Sequence, residues 1–147
     1  MKDIRIQRED FDPGAEIAAL SDGDGKTGAI ATFTGLVRGD DGMIAMTLDY
    51  YPGMSEREIA TRVAEAKRRW PLLAVRVVHR FGRLMPGERI VFVGVASSHR
   101  GAAFQAAEFL MDYLKTQAPF WKLEERPSGE NWVEARAEDD ESVKRWR

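Results

Sequence analysis

Strand-like runs in this chain come as adjacent pairs, and helix-like stripes fall between the pairs rather than after every strand. Strict strand–helix alternation builds a doubly wound parallel sheet. Paired strands set apart from helices build an α+β domain with a mainly antiparallel sheet and packed helices, and that class is expected here. Ile4 and Ile6 alternate with charged residues as a short edge strand. Residues 29–37 and 43–51 read as two strands flanking Arg38-Gly-Asp-Asp-Gly42, and are expected to pair as a hairpin. Residues 75–80, where Val75, Val77 and His79 alternate with Arg76, Val78 and Arg80, precede the turn Leu84-Met-Pro-Gly87 and the apolar run 89–96. A last pair, 120–125 and 132–134, flanks Pro127-Ser-Gly129.

Helix signals occupy the gaps. Asp12 before Pro13 reads as an N-cap with proline at the first helical position, opening a short helix through Leu20. Ser55 and Glu58 predict a capping box for a helix whose Ile59, Val63, Ala66 and Trp70 form one stripe, stopped by Pro71. A longer helix is expected over 102–117, with Pro119 just beyond it. An acidic tail or frayed helix is expected from about residue 136.

No repeat, linker or low-complexity tract divides the chain, so residues 1–147 read as a single domain. The opening MKDIRIQRED is charged, and no apolar run reaches the roughly 18 residues of a membrane span. Together with the absence of cysteine this predicts a cytoplasmic protein. The same absence removes thiolate metal sites and a cysteine nucleophile, so any sulfur chemistry must use sulfur carried by something else. A net charge of −2 lacks the basic excess of a phosphate-driven nucleic-acid binder.

Three segments carry candidate chemistry. Ser97-Ser98-His99-Arg100-Gly101 lies where a buried strand meets a helix start, whose free N–H groups and dipole favour an anion. It reads equally as a serine N-cap with two solvated polar residues. In Lys115-Thr-Gln-Ala-Pro-Phe-Trp-Lys122 two lysines flank a break, one beside aromatics where a dry setting can tune an ammonium. An ordinary helix-end lysine and a surface lysine fit the same letters. In Phe33-Thr-Gly-Leu-Val-Arg38, Gly35 suggests a bulge or close backbone approach, and Arg38 can make bidentate contacts to phosphate. Residues alone thus outline an anion pocket from Arg38, His99, Arg100, Lys115 and Lys122, converging on one cavity. His79 reads as strand packing rather than catalysis, and two separated histidines predict no metal site.

The stretches FTGLVR (33–38), YPGM (51–54), RRWP (68–71), VVHRFG (77–82), PGE (86–88), VFVGVASSHR (91–100), FLMDYLKTQAPFWK (109–122) and WVEA (132–135) occur in this order. Together, over about 110 residues, they resemble the large, catalytic subunit family of molybdopterin synthase. The resemblance implies an α/β-hammerhead type of α+β fold and a homodimer at the core of a heterotetramer. Each copy would hold a small ubiquitin-like sulfur-carrier subunit ending in Gly-Gly. It implies a sulfurtransferase acting on cyclic pyranopterin monophosphate, with no cofactor of its own because the partner's thiocarboxylate brings the sulfur. By position, Lys115 and Lys122 resemble the family's catalytic lysines, and Arg38, His99 and Arg100 its pterin and phosphate contacts. Leu36, Val37, Leu123 and Glu124 fall where neighbouring family residues line the substrate site. The alternative is a non-catalytic α+β binding or scaffold module that keeps the fold.

Overall fold

A computed structural model describes residues 3–116, 120–133 and 137–147, the side chains of 137–140 excepted. Gln117 and Pro119, expected at and beyond the end of the long helix, and Glu134, expected to end the last strand, lie outside the described residues.

Two four-stranded sheets organise the chain. The first contains β1 (Ile4–Gln7), β2 (Ala29–Leu36), β4 (Leu72–Arg80) and β6 (Arg89–Ser97), in the order β1-β4-β6-β2. The second contains β3 (Ala45–Tyr50), β5 (Gly82–Leu84), β7 (Phe120–Arg126) and β8 (Gly129–Val133), in the order β5-β3-β7-β8. Only the β1–β4 pairing is parallel, so the mainly antiparallel α+β expectation holds. Helices α1 (Pro13–Ala18), α2 (Met54–Arg69), α3 (Arg100–Thr116) and α4 (Ala137–Lys144) complete the described elements, with a 3-10 turn at Asp40–Gly42.

The near-continuous apolar run of β6 is explained by burial of both its faces. Val91, Val93 and Val95 join the main core with Ile59, Val63, Ala103 and Leu110 from α2 and α3. Phe92 and Ala96, pointing the other way, join Val78, Phe11 and Leu20 beneath the α1 segment. Asp12 caps α1 as expected, accepting from the Gly14 N–H at 3.0 Å. Glu16 fastens α1 to the first sheet by accepting from Arg76 Nε and Nη2 (3.0 and 2.8 Å) and pairing with Arg5. Burial alone would push its carboxyl up, but the two guanidiniums outweigh that and hold it below the ordinary glutamate range.

Two local expectations are corrected. The expected β2–β3 hairpin does not form. The β2 strand pairs with β6, and Val37 extends that contact by exchanging backbone hydrogen bonds with Glu88 and Gly87 (2.9 and 2.8 Å). A bulge at Gly35/Leu36 and the 3-10 turn, with Asp41 left-handed at φ 55°, then redirect the chain into the second sheet. The capping box moves two residues back. Gly53, at φ 86°, starts α2 early, so Glu56 rather than Glu58 reaches back to accept from the Gly53 N–H (3.1 Å). Ser55 Oγ instead accepts from the Tyr51 N–H at 3.2 Å. The acidic end forms α4, and at and beyond its last turn Val143 is buried and Trp146 packs edge-on against Trp70 and Phe109.

Gly28, which donates to the Ser97 carbonyl, ties the start of β2 to the end of β6. A Cβ here would collide with the Ser98 carbonyl, which is backbone and cannot swing aside. Gly28→Ala should therefore cost about 1–3 kcal/mol of stability, read as a lower urea midpoint at unchanged m-value.

Candidate functional site

The two sheets and the C-terminal end of α3 enclose a cleft of about 940 Å³. Its apolar floor includes Met46 and Leu48 from β3, Ile90 from β6, Leu114 from α3 and Phe120 from β7. Above this floor stand Arg38, Lys115, Lys122 and Arg126, facing Asp40, Asp41 and Glu124. Such a setting, apolar walls with a few converging charges, suits a small anionic ligand, because charge interactions strengthen where water is excluded.

Strand geometry selects which residues arrive. In the β3–β7 register Met46 faces Glu124 and Leu48 faces Lys122, so these four share a face and line the cleft. Leu123 faces Thr47 between them and, by the two-residue period, points to the opposite side. Leu36 and Val37 line the cleft at the β2 bulge, Leu36 exposed and Val37 buried. Of the expected binding residues, Arg38, Leu36, Val37 and Glu124 reach the cavity beside both lysines, and Leu123 does not.

His99 and Arg100 do not reach it either. They are exposed at the start of α3, whereas Lys115 is in its last turn. Fifteen helical residues separate Arg100 from Lys115 by roughly 22 Å. Of the five cations expected to converge, one copy of the chain brings three to this cavity. Nor is a serine the cap of α3: the His99 carbonyl accepts from the Ala103 N–H at 3.4 Å, and buried Ser97 Oγ donates to the Pro71 carbonyl at 2.8 Å.

Two lining residues escaped the sequence reading. Arg126 donates to the Asp40 and Asp41 carbonyls (2.9 and 3.1 Å) and to Glu124 (2.9 Å), clamping the left-handed turn over the cleft. Nothing in the sequence links positions 126 and 40. Arg38 lies over the same turn, 3.3 Å from Asp40 with both side chains more than half exposed.

The second is His79. Its ring is buried, stacks on Phe120 at 3.9 Å and 16°, and places Nδ1 2.8 Å from the Arg80 carbonyl. Burial, with a smaller push from the Lys115 ammonium, outweighs that hydrogen bond and lowers its pKa to about 4. The sequence marked it by the alternating pattern, which signals burial, and by its place in the VVHRFG stretch, neither of which assigns it to the cleft.

The sign of the resulting pH dependence is fixed. An unfolded histidine protonates near pH 6.5 while the folded one stays neutral to about 4, so the unfolded state binds the extra proton in between. Stability should therefore fall by roughly 1 kcal/mol per pH unit as pH drops from 6.5 toward 5. His79→Gln should flatten that slope, as urea titrations at pH 7, 6 and 5 will show.

Residues 6–117 match the family model described as MoaE protein. A relative from Mesorhizobium japonicum, named molybdopterin synthase catalytic subunit, is 54% identical, with 98% of this chain and 92% of that protein covered. A solved structure titled molybdopterin biosynthesis MoaE protein, from Burkholderia ambifaria, superposes with a TM-score of 0.85 at 54% identity, covering 99% and 98% of the two chains. The fold also recurs, with a TM-score of 0.77 at 19% identity and 92% of each chain covered, in a structure from Helicobacter pylori titled as the complex of subunits 1 and 2 of molybdopterin-converting factor. A match across most of the chain, together with that identity over nearly its whole length, places this protein in the MoaE family.

Proposed function

We propose that the chain is the catalytic subunit of molybdopterin synthase. It moves sulfur from the C-terminal thiocarboxylate of a small ubiquitin-like carrier onto cyclic pyranopterin monophosphate, making the dithiolene of molybdopterin. One observation carries the reading: Lys115 and Lys122 share a single cleft with Arg38, in a chain 54% identical to a relative named for that activity.

The chemistry asks for what this cleft supplies. A thiocarboxylate tail is anionic and extended, and a Gly-Gly terminus is slim enough to enter beside Lys115 and Lys122. Each sulfur addition and elimination moves protons, and a lysine next to the reacting carbon can pair with the tail and relay them. Arg38 offers a fixed guanidinium to the phosphate and to the anion freed when its ring opens. Leu36, Val37 and Glu124 shape the wall on which the pterin rests. The sulfur comes with the carrier, so this reading asks for no metal or resident cofactor.

His99 and Arg100, a helix length away, enter this scheme through a second copy. A homodimer that sets the start of one α3 against the other copy's cleft would supply the missing cations, and a carrier on each copy would make a heterotetramer. A cytoplasmic setting fits the cysteine-free composition, and residues 1–147 would act as one domain.

Lys115→Ala should lower product formation at least a hundredfold, with carrier affinity within about twofold by calorimetry. Near-normal turnover with thiocarboxylated carrier and precursor would refute the assignment. Arg100→Ala should weaken precursor binding about tenfold or more. Unchanged affinity would remove Arg100 from the site.

A further inference from the structure

Among the described residues, one buried titratable side chain on the cleft wall, His79, has no part in the scheme above. His79 lies on β4, in the first sheet, whereas most of the cleft's charged groups come from the second sheet and the end of α3. Three neighbours determine what its ring can do. Phe120 covers one face by stacking. The Arg80 carbonyl takes up Nδ1 at 2.8 Å, and since a carbonyl oxygen only accepts, Nδ1 must carry the ring proton. Lys115 lines the same cleft as the ring, across from it at the end of α3. A neutral imidazole protonated at Nδ1 has a bare Nε2, which is a hydrogen-bond acceptor.

We propose that His79 is a positioning residue for Lys115: with its Nδ1 proton given to the Arg80 carbonyl, its Nε2 is left to accept from the ammonium of the lysine that lines the same cleft. This rests on the reading of Lys115 as a group that acts on the carrier's tail. A lysine side chain has four rotatable carbons, and a bound rotamer is what brings its ammonium repeatedly to one place. The imidazole can hold it there because it is itself fixed, by stacking on one side and by the backbone on the other. Burial keeps the ring uncharged at neutral pH, so it attracts the ammonium instead of repelling it.

The test compares two replacements of similar length, His79→Gln, which keeps an acceptor, and His79→Met, which does not. Both are assayed with thiocarboxylated carrier and precursor, beside Lys115→Ala. His79→Met should lower kcat about tenfold with KM for precursor unchanged within about twofold, and His79→Gln should stay within about threefold of the parent. A merely structural role predicts equal losses in the two, and equal kcat values with an inactive Lys115→Ala overturn this inference alone. An active Lys115→Ala overturns the functional reading beneath it, and this inference with it. A second measurement needs no variant. The chain has two histidines, so their imidazole nitrogens are readily assigned by 15N NMR. His79 should show the neutral Nδ1–H tautomer at pH 7; an Nε2–H tautomer or an imidazolium overturns the proposal whatever the variants do.

Discussion

Strand β6 hydrogen-bonds to β4 along one edge and to β2 along the other, and its side chains are buried on both faces. That double burial is the constraint from which the rest of the site follows. At one end β6 brings Ile90 to the cleft floor, beside Val37 held to the Glu88 carbonyl. At the other it runs through Ser97 into α3, whose apolar face returns over the sheet and sets Lys115 back at the cleft. The partner strand β4 contributes His79 from the neighbouring register position, opposite Val91. One rigid strand thus fixes three walls of a cavity to which the second sheet adds Lys122.

The second sheet depends on this frame in turn. It is narrow and its outer strand β8 is largely exposed, so its position relative to the first sheet comes from the Met46 and Leu48 side of β3, which the main core absorbs. Charge is placed with the same economy. Arg126 donates both to Glu124 and to the turn carbonyls, while Arg38 stands over the turn, largely exposed.

Most elements were legible in the sequence because their signals are local: the Asp12–Pro13 cap, the α2 stripe, the bulge at Gly35 and the apolar run of β6. Pairing was legible where a short turn joins neighbours, as in β7 and β8, but not for β2, because its partner is decided by burial at long range. Residues 29–37 and 43–51 look like a hairpin until the Gly87–Val37–Glu88 contacts hold the first of them to β6. The lysines and Arg38 were readable through family resemblance, and the cleft brings them together. That His99 and Arg100 sit elsewhere follows from the rise of a helix, a number available from the start, applied to the distance between positions 100 and 115. Arg126 and His79 were illegible for opposite reasons. One is a cation whose backbone partners at the turn lie more than eighty residues away. The other looks like any buried strand residue until its neighbours are known.

The guanidinium that grips the 40–41 carbonyls stands on the same strand, and by alternation on the same face, as Lys122. Roof and reactive wall are therefore a single length of backbone, four residues apart. A ligand that lifts the roof must either break those bonds or drag the ammonium with it. The position of that amine and the seating of the turn are thus set by the same stretch of chain.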